Sequence, residues 1–250
     1  MSSTALRNAA RNEPEEGQKK GHGLVFGSRG GIGSEISRIL SHKDINVHGI
    51  DRAEMSAHGI NEWALDVTQP GLETWLEDHF RNHGLPRFFV WCIGVYDRRP
   101  LTEYGTVRMR TVLDTNLTAL LVALRTVVAA AVEQRSPLRV VVVGSQASVN
   151  GGTDAVYAAA KAGCVAAVKS VAREYGRHGI TANIVSPGPT NTTMAEVMGD
   201  ERRRHYESTI PIGRFTEPLE VAAAAVWLLT EAPPAITGTV LDVDGGLVRR

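Results

Sequence analysis

Short runs of apolar, often β-branched residues alternate along this chain with longer segments in which apolar residues recur at helical spacing. The short runs predict strands at residues 23–26, 45–51, 62–67, 87–93, 140–143 and 180–185. The longer segments predict helices that contain residues 32–40, 71–82, 106–132 and 154–175. Such alternation is typical of a parallel sheet with helices on both faces. We therefore expect a single α/β domain with a doubly wound parallel sheet, whose ligands bind at the carboxyl ends of the strands.

The predicted strand at residues 140–143 leads into a stretch that combines several reactive side chains. It ends at Gly144 and is followed by Ser145, a polar loop, and an alanine-rich helix that carries Tyr157 and Lys161. Residues four apart on a helix are neighbours on one face, so the lysine ammonium can lie beside the tyrosine phenol. Because a neighbouring positive charge stabilises a phenolate, the spacing predicts an acid/base centre at the end of this strand.

A glycine-rich loop after the first strand predicts a nucleotide site. Residues 27–33 read GSRGGIG and open a helix, whose first N–H groups and dipole attract a pyrophosphate. The second strand ends at Asp51, where a carboxylate accepts hydrogen bonds from ribose hydroxyls and repels a 2′-phosphate. Asp51 therefore favours NAD over NADP, whereas Arg29 or Arg52 could reach a phosphate and would favour NADP.

These motifs resemble those of the short-chain dehydrogenase/reductase family, and the resemblance extends over roughly residues 23–248. It implies a Rossmann-type domain that transfers a hydride between a nicotinamide cofactor and a carbinol or carbonyl carbon of a small molecule. It also implies that Ser145, Tyr157 and Lys161 are catalytic, and that Asn116 supports a water connecting the lysine to solvent. The cofactor contacts implied by the resemblance are Gly27, Ser28, Arg29, Gly31, Ile32, Gly33, Asp51, Arg52, Asp66, Val67, Gly94, Tyr157, Lys161, Pro187, Gly188, Thr190 and Thr192.

Three positions depart from the family pattern. Tyr157 follows Ser145 by twelve residues where the family usually has thirteen, which leaves Ser148 as an alternative serine. The glycine-rich loop is preceded by Phe26 instead of threonine. The fourth strand ends with WCIG at residues 91–94, where the family has Asn-Asn-Ala-Gly or Asn-Ala-Ala-Gly. We therefore expect extra bulk beside the cofactor ribose.

The resemblance leaves three functions open. Residues 186–194 (SPGPTNTTM) resemble the NAD-dependent 2,3-dihydro-2,3-dihydroxybenzoate dehydrogenases, which act on a cyclic dihydrodiol. In that case Arg98, Arg99 or the arginines of a charged lid at residues 195–214 could meet a substrate carboxylate. The IPIGRF segment and the closing VDGG segment resemble NADPH-dependent 3-oxoacyl-carrier-protein reductases. The third function is that of a dinucleotide-binding module that has lost catalysis.

Composition and charge limit the partners and the cellular compartment that we expect for this chain. The 27 Lys and Arg residues balance the 27 Asp and Glu residues, which argues against a nucleic-acid or anionic-membrane partner. Cys92 and Cys164 lie far apart inside apolar runs, so neither a disulfide framework nor a zinc cluster is indicated. Neither a signal-peptide centre nor an uninterrupted apolar run of membrane-spanning length is evident, so we expect a cytoplasmic protein.

Three further expectations concern the periphery of the domain. Residues 1–22 are polar and predict a flexible tail ahead of a catalytic domain over residues 23–250. The helices rich in alanine and valine offer flat faces for a homo-tetramer or homo-dimer. His79 and His83 are expected at the exposed end of a helix, with no metal bound.

Overall fold

The computed structural model describes residues 21–52, 60–196 and 199–248. Its strands are β1 (Gly23–Phe26), β2 (Val47–Asp51), β3 (Asn61–Ala64), β4 (Phe88–Trp91), β5 (Leu138–Val143), β6 (Ile180–Pro187) and β7 (Val240–Val243). Its α-helices are α1 (Gly31–His42), α2 (Leu72–His83), α3 (Thr106–Leu113), α4 (Ala119–Glu133), α5 (Ala147–Asn150), α6 (Ala155–Tyr175), α7 (Thr193–Glu196), α8 (Asp200–Thr209) and α9 (Pro218–Thr230).

The seven strands form one parallel sheet in the order β3-β2-β1-β4-β5-β6-β7. The order reverses between β1 and β4, since the chain first winds outward to β3 and then returns to the other side of β1. Parallel strands whose order reverses leave a crevice at their carboxyl ends, between loops that diverge in opposite directions. The predicted doubly wound sheet is confirmed, and its crevice lies beyond Phe26 and Trp91.

Apolar residues on the two faces of the sheet form separate cores. One core joins Phe26 and Trp91 to residues of α2, α4 and α6. The other joins Val25 and Val90 to residues of α1 and α9. Because successive side chains of a strand point to opposite faces, a strand buried on both sides must be apolar at nearly every position. This requirement explains why the strands read as continuous apolar runs.

Two predicted elements differ from the observed ones. The third strand covers Asn61–Ala64 and ends before Asp66, which belongs to the following turn. The helix predicted over residues 106–132 consists of α3 and α4 joined by a π-helical turn at Asp114–Thr118. Single π-helical turns insert one extra residue into a helix and are common at functional sites.

The expectation that His79 lies at an exposed helix end is wrong. His79 is buried, and its ring stacks on Trp75 one turn earlier in α2 with the ring centroids 4.8 Å apart. The four-residue spacing of His79 and His83 places both on one side of α2, and only His83, in the last turn, is exposed. His79 lies on the same buried face of α2 as Leu72, Leu76 and Phe80, so it is shielded from solvent.

The structure describes part of the predicted tail and part of the predicted lid. Of the predicted tail, residues 1–20 lie outside the described residues. His22 is buried and its carbonyl accepts a hydrogen bond from the Arg87 N–H at 3.0 Å, so the packed domain includes residues 21 and 22. Within the predicted lid, Arg203 of α8 donates to Glu207 at 3.0 Å and to Asn191 at 2.6 Å.

Two helical stretches, Thr106–Glu133 and Ala155–His178, are long and apolar enough to cross a membrane by length and composition alone. Both contribute residues to the core on one face of the sheet, including Leu120, Val127 and Cys164. A core helix of a soluble protein passes the same test of length and composition, so the observation is weak evidence for a membrane span.

Candidate active site

The loop between β1 and α1 forms the floor of a cavity of about 720 Å³ at the carboxyl edge of the sheet. Gly27 has a φ of +79°, in the left-handed region where glycine is favoured. A Cβ on Gly33 would lie only 2.0 Å from the Gly27 carbonyl oxygen, so a side chain there would force the turn open. Ser28 is buried, whereas Arg29, Gly31 and Ile32 line the cavity with the two glycines.

Asp51 closes one end of the cavity at the tip of β2. Its carboxylate accepts hydrogen bonds from the main-chain N–H of Arg29 at 3.1 Å and of Arg52 at 2.8 Å. These contacts hold the carboxylate between the glycine-rich loop and β2. The Arg29 guanidinium pairs with Glu62 of β3 at 3.3 Å, so this charge is already engaged beside Asp51. Arg52 also lines the cavity.

Asp66 and Val67 lie on the next loop around the same cavity. The hydroxyl and the main-chain N–H of Thr68 donate to one Asp66 oxygen at 2.7 and 3.0 Å. These hydrogen bonds hold the pKa of Asp66 below its ordinary value. Asp66 is therefore ionised and held in a turn, close to the position that the sequence predicts for it.

The bulky end of β4 does not crowd the cavity in the way the sequence predicts. Trp91 is fully buried, and its ring packs 4.8 Å from Phe26 within the core. The alternation of strand side chains turns Trp91 away from the crevice and leaves Cys92, Ile93 and Gly94 along its wall. Phe26, which replaces the family's threonine, belongs to the same aromatic contact. Phe26 and Trp91, which both depart from the family pattern, therefore pack against each other.

Asn116 lies fully buried in the π-helical turn between α3 and α4. Its side-chain amide donates to the carbonyls of Val95 and Val112 at 2.9 and 2.8 Å, and its Oδ1 accepts from the Val95 N–H at 3.2 Å. A Cβ on Gly94 would lie 3.0 Å from Asn116 Oδ1 and 3.3 Å from Lys161 Nζ. The amide oxygen and the ammonium thus converge around a glycine that leaves them room.

Lys161 and Tyr157 lie on the side of α6 that faces the cavity. Lys161 is buried, and its ammonium donates to the Val143 carbonyl at the end of β5 at 3.0 Å. The same nitrogen lies 5.8 Å from the centroid of the Tyr157 ring. An ammonium has three N–H donors, so the contact with Val143 leaves capacity for a further acceptor.

Ser145 lines the cavity directly after β5, and its hydroxyl accepts a hydrogen bond from the Ala147 N–H at 3.2 Å. Ser148 is one turn further along α5, and its hydroxyl is buried away from the residues that line the cavity. Of the two serines that the spacing leaves open, the structure brings Ser145 together with Tyr157 and Lys161.

The end of β6 and the segment that follows it contribute to the wall of the same cavity. Pro187, Gly188, Thr190 and Thr192 all line it. A Cβ on Gly31 would lie 2.8 Å from the Thr192 methyl group, so this segment packs directly on the start of α1. The strand ends that the sequence places far apart therefore surround one space.

Asp154 is a positioning residue that the sequence patterns did not reveal. It is almost fully buried, and its carboxylate caps α6 by accepting from the Tyr157 N–H at 2.9 Å. It also accepts from the N–H groups of Asp97 and Arg98 and from the Tyr104 hydroxyl. Burial and this carboxylate raise the pKa of Tyr104. An aspartate three residues before a candidate catalytic tyrosine is an N-cap signal that could have identified it.

Aromatic and basic side chains near Asp154 shape the mouth of the cavity. The Tyr96 ring lies 5.0 Å from the Tyr157 ring, centroid to centroid. The Arg98 guanidinium lies 5.6 Å from the Tyr96 ring and donates to the Met194 carbonyl. Arg99, the other arginine considered for a substrate carboxylate, pairs with Asp97 at 3.2 Å.

A parallel sheet with a glycine-lined cavity at its switch point and a Ser–Tyr–Lys group on its wall defines a dinucleotide-binding oxidoreductase. The glycine-rich turn lines the cavity with Gly27, Gly30, Gly31 and Gly33, which carry no side chain, so a dinucleotide backbone could approach the main chain closely there. Residues 27–248 match the family model described as "Enoyl-(Acyl carrier protein) reductase". The chain belongs to the short-chain dehydrogenase/reductase family, whose members bind nicotinamide dinucleotides and small-molecule substrates.

Named relatives are similar to almost the whole chain. The 3-oxoacyl-(acyl-carrier-protein) reductase FabG of Vibrio cholerae is 32% identical over 234 residues, which are 90% of this chain and 96% of that protein. The enzyme of the same name from Haemophilus influenzae is 33% identical over the same shares. A solved oxidoreductase of the short-chain dehydrogenase/reductase family from Burkholderia thailandensis is 30% identical, covers 92% of this chain and 93% of its own, and has a TM-score of 0.83. The chain is an oxidoreductase of the short-chain dehydrogenase/reductase type.

Proposed function

We propose that this protein reduces the 3-oxo group of an acyl thioester and prefers NADH to NADPH. The proposal rests on one observation: a single cavity is lined by Tyr157, Lys161 and Ser145 and ends at Asp51. The reductases named above, similar over nine-tenths of the chain, support this substrate class. They support it better than a cyclic dihydrodiol, which rests on the likeness of residues 186–194 alone.

The side chains of the cavity wall have distinct roles in this proposal. Ser145 donates a hydrogen bond to the substrate carbonyl oxygen, and Tyr157 gives that oxygen a proton as it becomes a hydroxyl. Lys161 holds a ribose hydroxyl and stabilises the phenolate left on Tyr157. Asn116 keeps the π-helical turn in place and supports a water through which a proton from solvent restores the Tyr157 phenol. The reduced nicotinamide, when bound, supplies the hydride.

Replacement of Tyr157 by Phe tests the catalytic assignment. The ring remains and only the proton donor is lost, so turnover of acetoacetyl-CoA should fall to the background rate while NADH binding, followed by fluorescence, is unchanged. A variant with undiminished turnover would contradict the assignment. A wild-type protein that binds NADH tightly yet reduces no member of a ketone panel would indicate a non-catalytic dinucleotide-binding module.

The cofactor preference rests on the charge at the end of β2. A 2′-phosphate beside Asp51 would meet a carboxylate, whereas a 2′-hydroxyl can donate to it. The Arg29 guanidinium, the nearest alternative partner for a phosphate on this loop, pairs with Glu62. A hydrogen bond to a charged group is worth about 1.5–3 kcal/mol, so Asp51→Ala should lower kcat/KM for NADH by roughly 10- to 100-fold.

Steady-state assays with both cofactors provide the measurement, and Asp66→Ala, on the adjacent loop, is the matched control that leaves the NADH/NADPH ratio unchanged. A wild-type preference for NADPH would overturn the cofactor proposal. Oxidation of a cyclic dihydrodiol by NAD, without activity on acetoacetyl-CoA, would instead select the dihydrodiol substrate.

We also propose that the chain assembles with copies of itself, as a homo-tetramer or homo-dimer, in the cytoplasm. Val107 of α3 and Leu121 of the strongly apolar helix α4 are both exposed. An exposed apolar helix face favours association, since burial removes it from water. Both cysteines are free, as in a reducing compartment. Light scattering coupled to gel filtration measures the assembly, and a monomer at micromolar concentration would contradict it.

A further inference from the structure

Three buried histidines meet at the end of the sheet opposite the cavity. His22 immediately precedes β1, His48 is the second residue of β2, and His79 lies in α2. Their exposed fractions are 6%, 4% and 4%. Each residue comes from a different element, and the oxidoreductase chemistry proposed above uses none of them.

The geometry of this His22–His48–His79 cluster is that of a potential ligand set. One imidazole nitrogen from each residue lies within 4.8 Å of the other two. His48 Nδ1 and His79 Nε2 are 2.9 Å apart, and the His22 ring stacks on the His48 ring with centroids 4.1 Å apart. Zinc–nitrogen bonds of about 2.0–2.1 Å in a tetrahedral site require ligand nitrogens roughly 3.3 Å apart. The nitrogen separations in the cluster, from 2.9 Å to at most 4.8 Å, lie on either side of this value.

One nitrogen of the cluster lacks the hydrogen bond that burial normally requires. His22 Nε2 is buried and has no hydrogen-bond partner among the residues that the structure describes. Leaving a buried polar atom unsatisfied costs about 1–3 kcal/mol. A metal ion bound to His22 Nε2 in the plane of its ring would satisfy this nitrogen, which hydrogen bonding within the cluster leaves without a partner.

The three rings of the cluster are neutral at physiological pH. Burial, together with the neighbouring histidines, lowers the pKa of His22 to about 3. Burial likewise lowers the pKa values of His48 and His79 to about 4. A neutral imidazole keeps the lone pair that a metal needs, whereas a protonated one does not.

The exposed His83 lies next to the cluster, on the side that faces solvent. Its ring centroid lies 4.6 Å from that of His79 and 5.2 Å from that of His48. It can serve as a fourth ligand or leave that position to water. Its exposure also provides a route by which an ion reaches the buried rings.

We propose that His22, His48 and His79 form a structural site for a divalent transition metal that prefers imidazole, with Zn²⁺ as the leading occupant. The bound ion would join the segment before β1 to β2 and α2, at the end of the sheet away from the cofactor cavity. It would stabilise the fold without taking part in catalysis.

The test uses the full chain without a histidine tag, stripped with EDTA and titrated with Zn²⁺ by calorimetry. We expect one tightly bound ion per chain and a rise in melting temperature. With Co²⁺ as the probe, we expect the visible absorption of a four-coordinate ion. Kinetic constants for NADH should be the same with and without the metal.

Phenylalanine substitutions keep the ring packing and remove the ligand. His22→Phe and His79→Phe should each lower Zn²⁺ affinity by more than the roughly 10- to 100-fold that is typical of outer-shell changes. The exposed His42→Ala is the matched control and should bind like the wild type. Circular dichroism checks that each variant is folded, and His22→Phe remains informative if His79→Phe does not fold. Absence of stoichiometric binding by the wild type, or unchanged binding by His22→Phe, would overturn the proposal.

Discussion

Removal of the Asp154 carboxylate should loosen two segments of the active site at once. One oxygen caps α6 at the Tyr157 N–H, and the other accepts from the N–H groups of Asp97 and Arg98 at 3.1 and 3.2 Å. The Tyr104 hydroxyl donates to both oxygens at 2.9 Å. The substitution Asp154→Ala leaves all of these donors without an acceptor in a site that is only 1% exposed.

The size of the effect follows from the number of donors. At about 1 kcal/mol for the helix cap and about 1 kcal/mol for each of the other three donors, Asp154→Ala should lower the free energy of unfolding by about 4 kcal/mol. For a chain of this size the melting temperature should fall by roughly 8–16 °C. Because a displacement of about 1 Å at a catalytic group can cost about 100-fold in rate, kcat/KM should fall by a similar factor.

Asp154→Asn separates the two contributions. Asparagine is a good N-cap and can still accept from Tyr157, but its amide group would face the N–H donors of Asp97 and Arg98. We expect about half the loss of stability, concentrated in the loop that carries Arg98. Urea unfolding and steady-state kinetics measure both effects, and the exposed Asp78→Ala should change stability by no more than about 0.5 kcal/mol. If Asp154→Ala unfolds like the wild type with unchanged kcat/KM, the carboxylate does not anchor the site.

Two further predictions test the cavity walls. Desolvation at the cavity wall raises the pKa of the partly buried Cys92 thiol to about 12, so the reactive thiolate is scarce at pH 8. Iodoacetamide should therefore label Cys92 and Cys164 rapidly only after unfolding, as mass spectrometry would show; fast labelling of native Cys92 would contradict the raised pKa of its thiol. Gly33→Ala should abolish NADH binding because the new Cβ would lie 2.0 Å from the Gly27 carbonyl, whereas Gly30→Ala, with 3.4 Å of space, should retain most of it in a fluorescence titration.

Local patterns predicted six of the seven strands, but not β7, and most of the residues around the cavity. Strand and helix periods are visible within a few residues, and a tight turn such as that at Gly27 needs glycine whatever the rest of the chain does. The positions of Asp51, Tyr157 and Lys161 also follow from local spacing, because each lies at the end of a strand or on the helix that follows one. Parallel strands then bring all of these ends to one edge.

Contacts between distant elements could not be predicted in this way. The Asp154 carboxylate binds Tyr104 and Arg98, which are 50 and 56 residues away, and neither partner is visible from its own neighbourhood. Trp91 was expected beside the cofactor, but its orientation depends on which face of the sheet it occupies and on Phe26 across the strand pair. Such details depend on how elements pack, and packing is a property of the assembled core.

The amino-acid sequence by itself determined the first six strands and the main helices between them, the glycine turn and the helical face that carries the candidate catalytic pair, since short-range sterics and burial decide these features. The tertiary structure alone decided that His22, His48 and His79 meet in one buried cluster. The sequence around each of these histidines does not indicate that the other two lie nearby in the fold. Only the side-by-side pairing of β1 with β2, and the packing of α2 against that pair, brings their rings together.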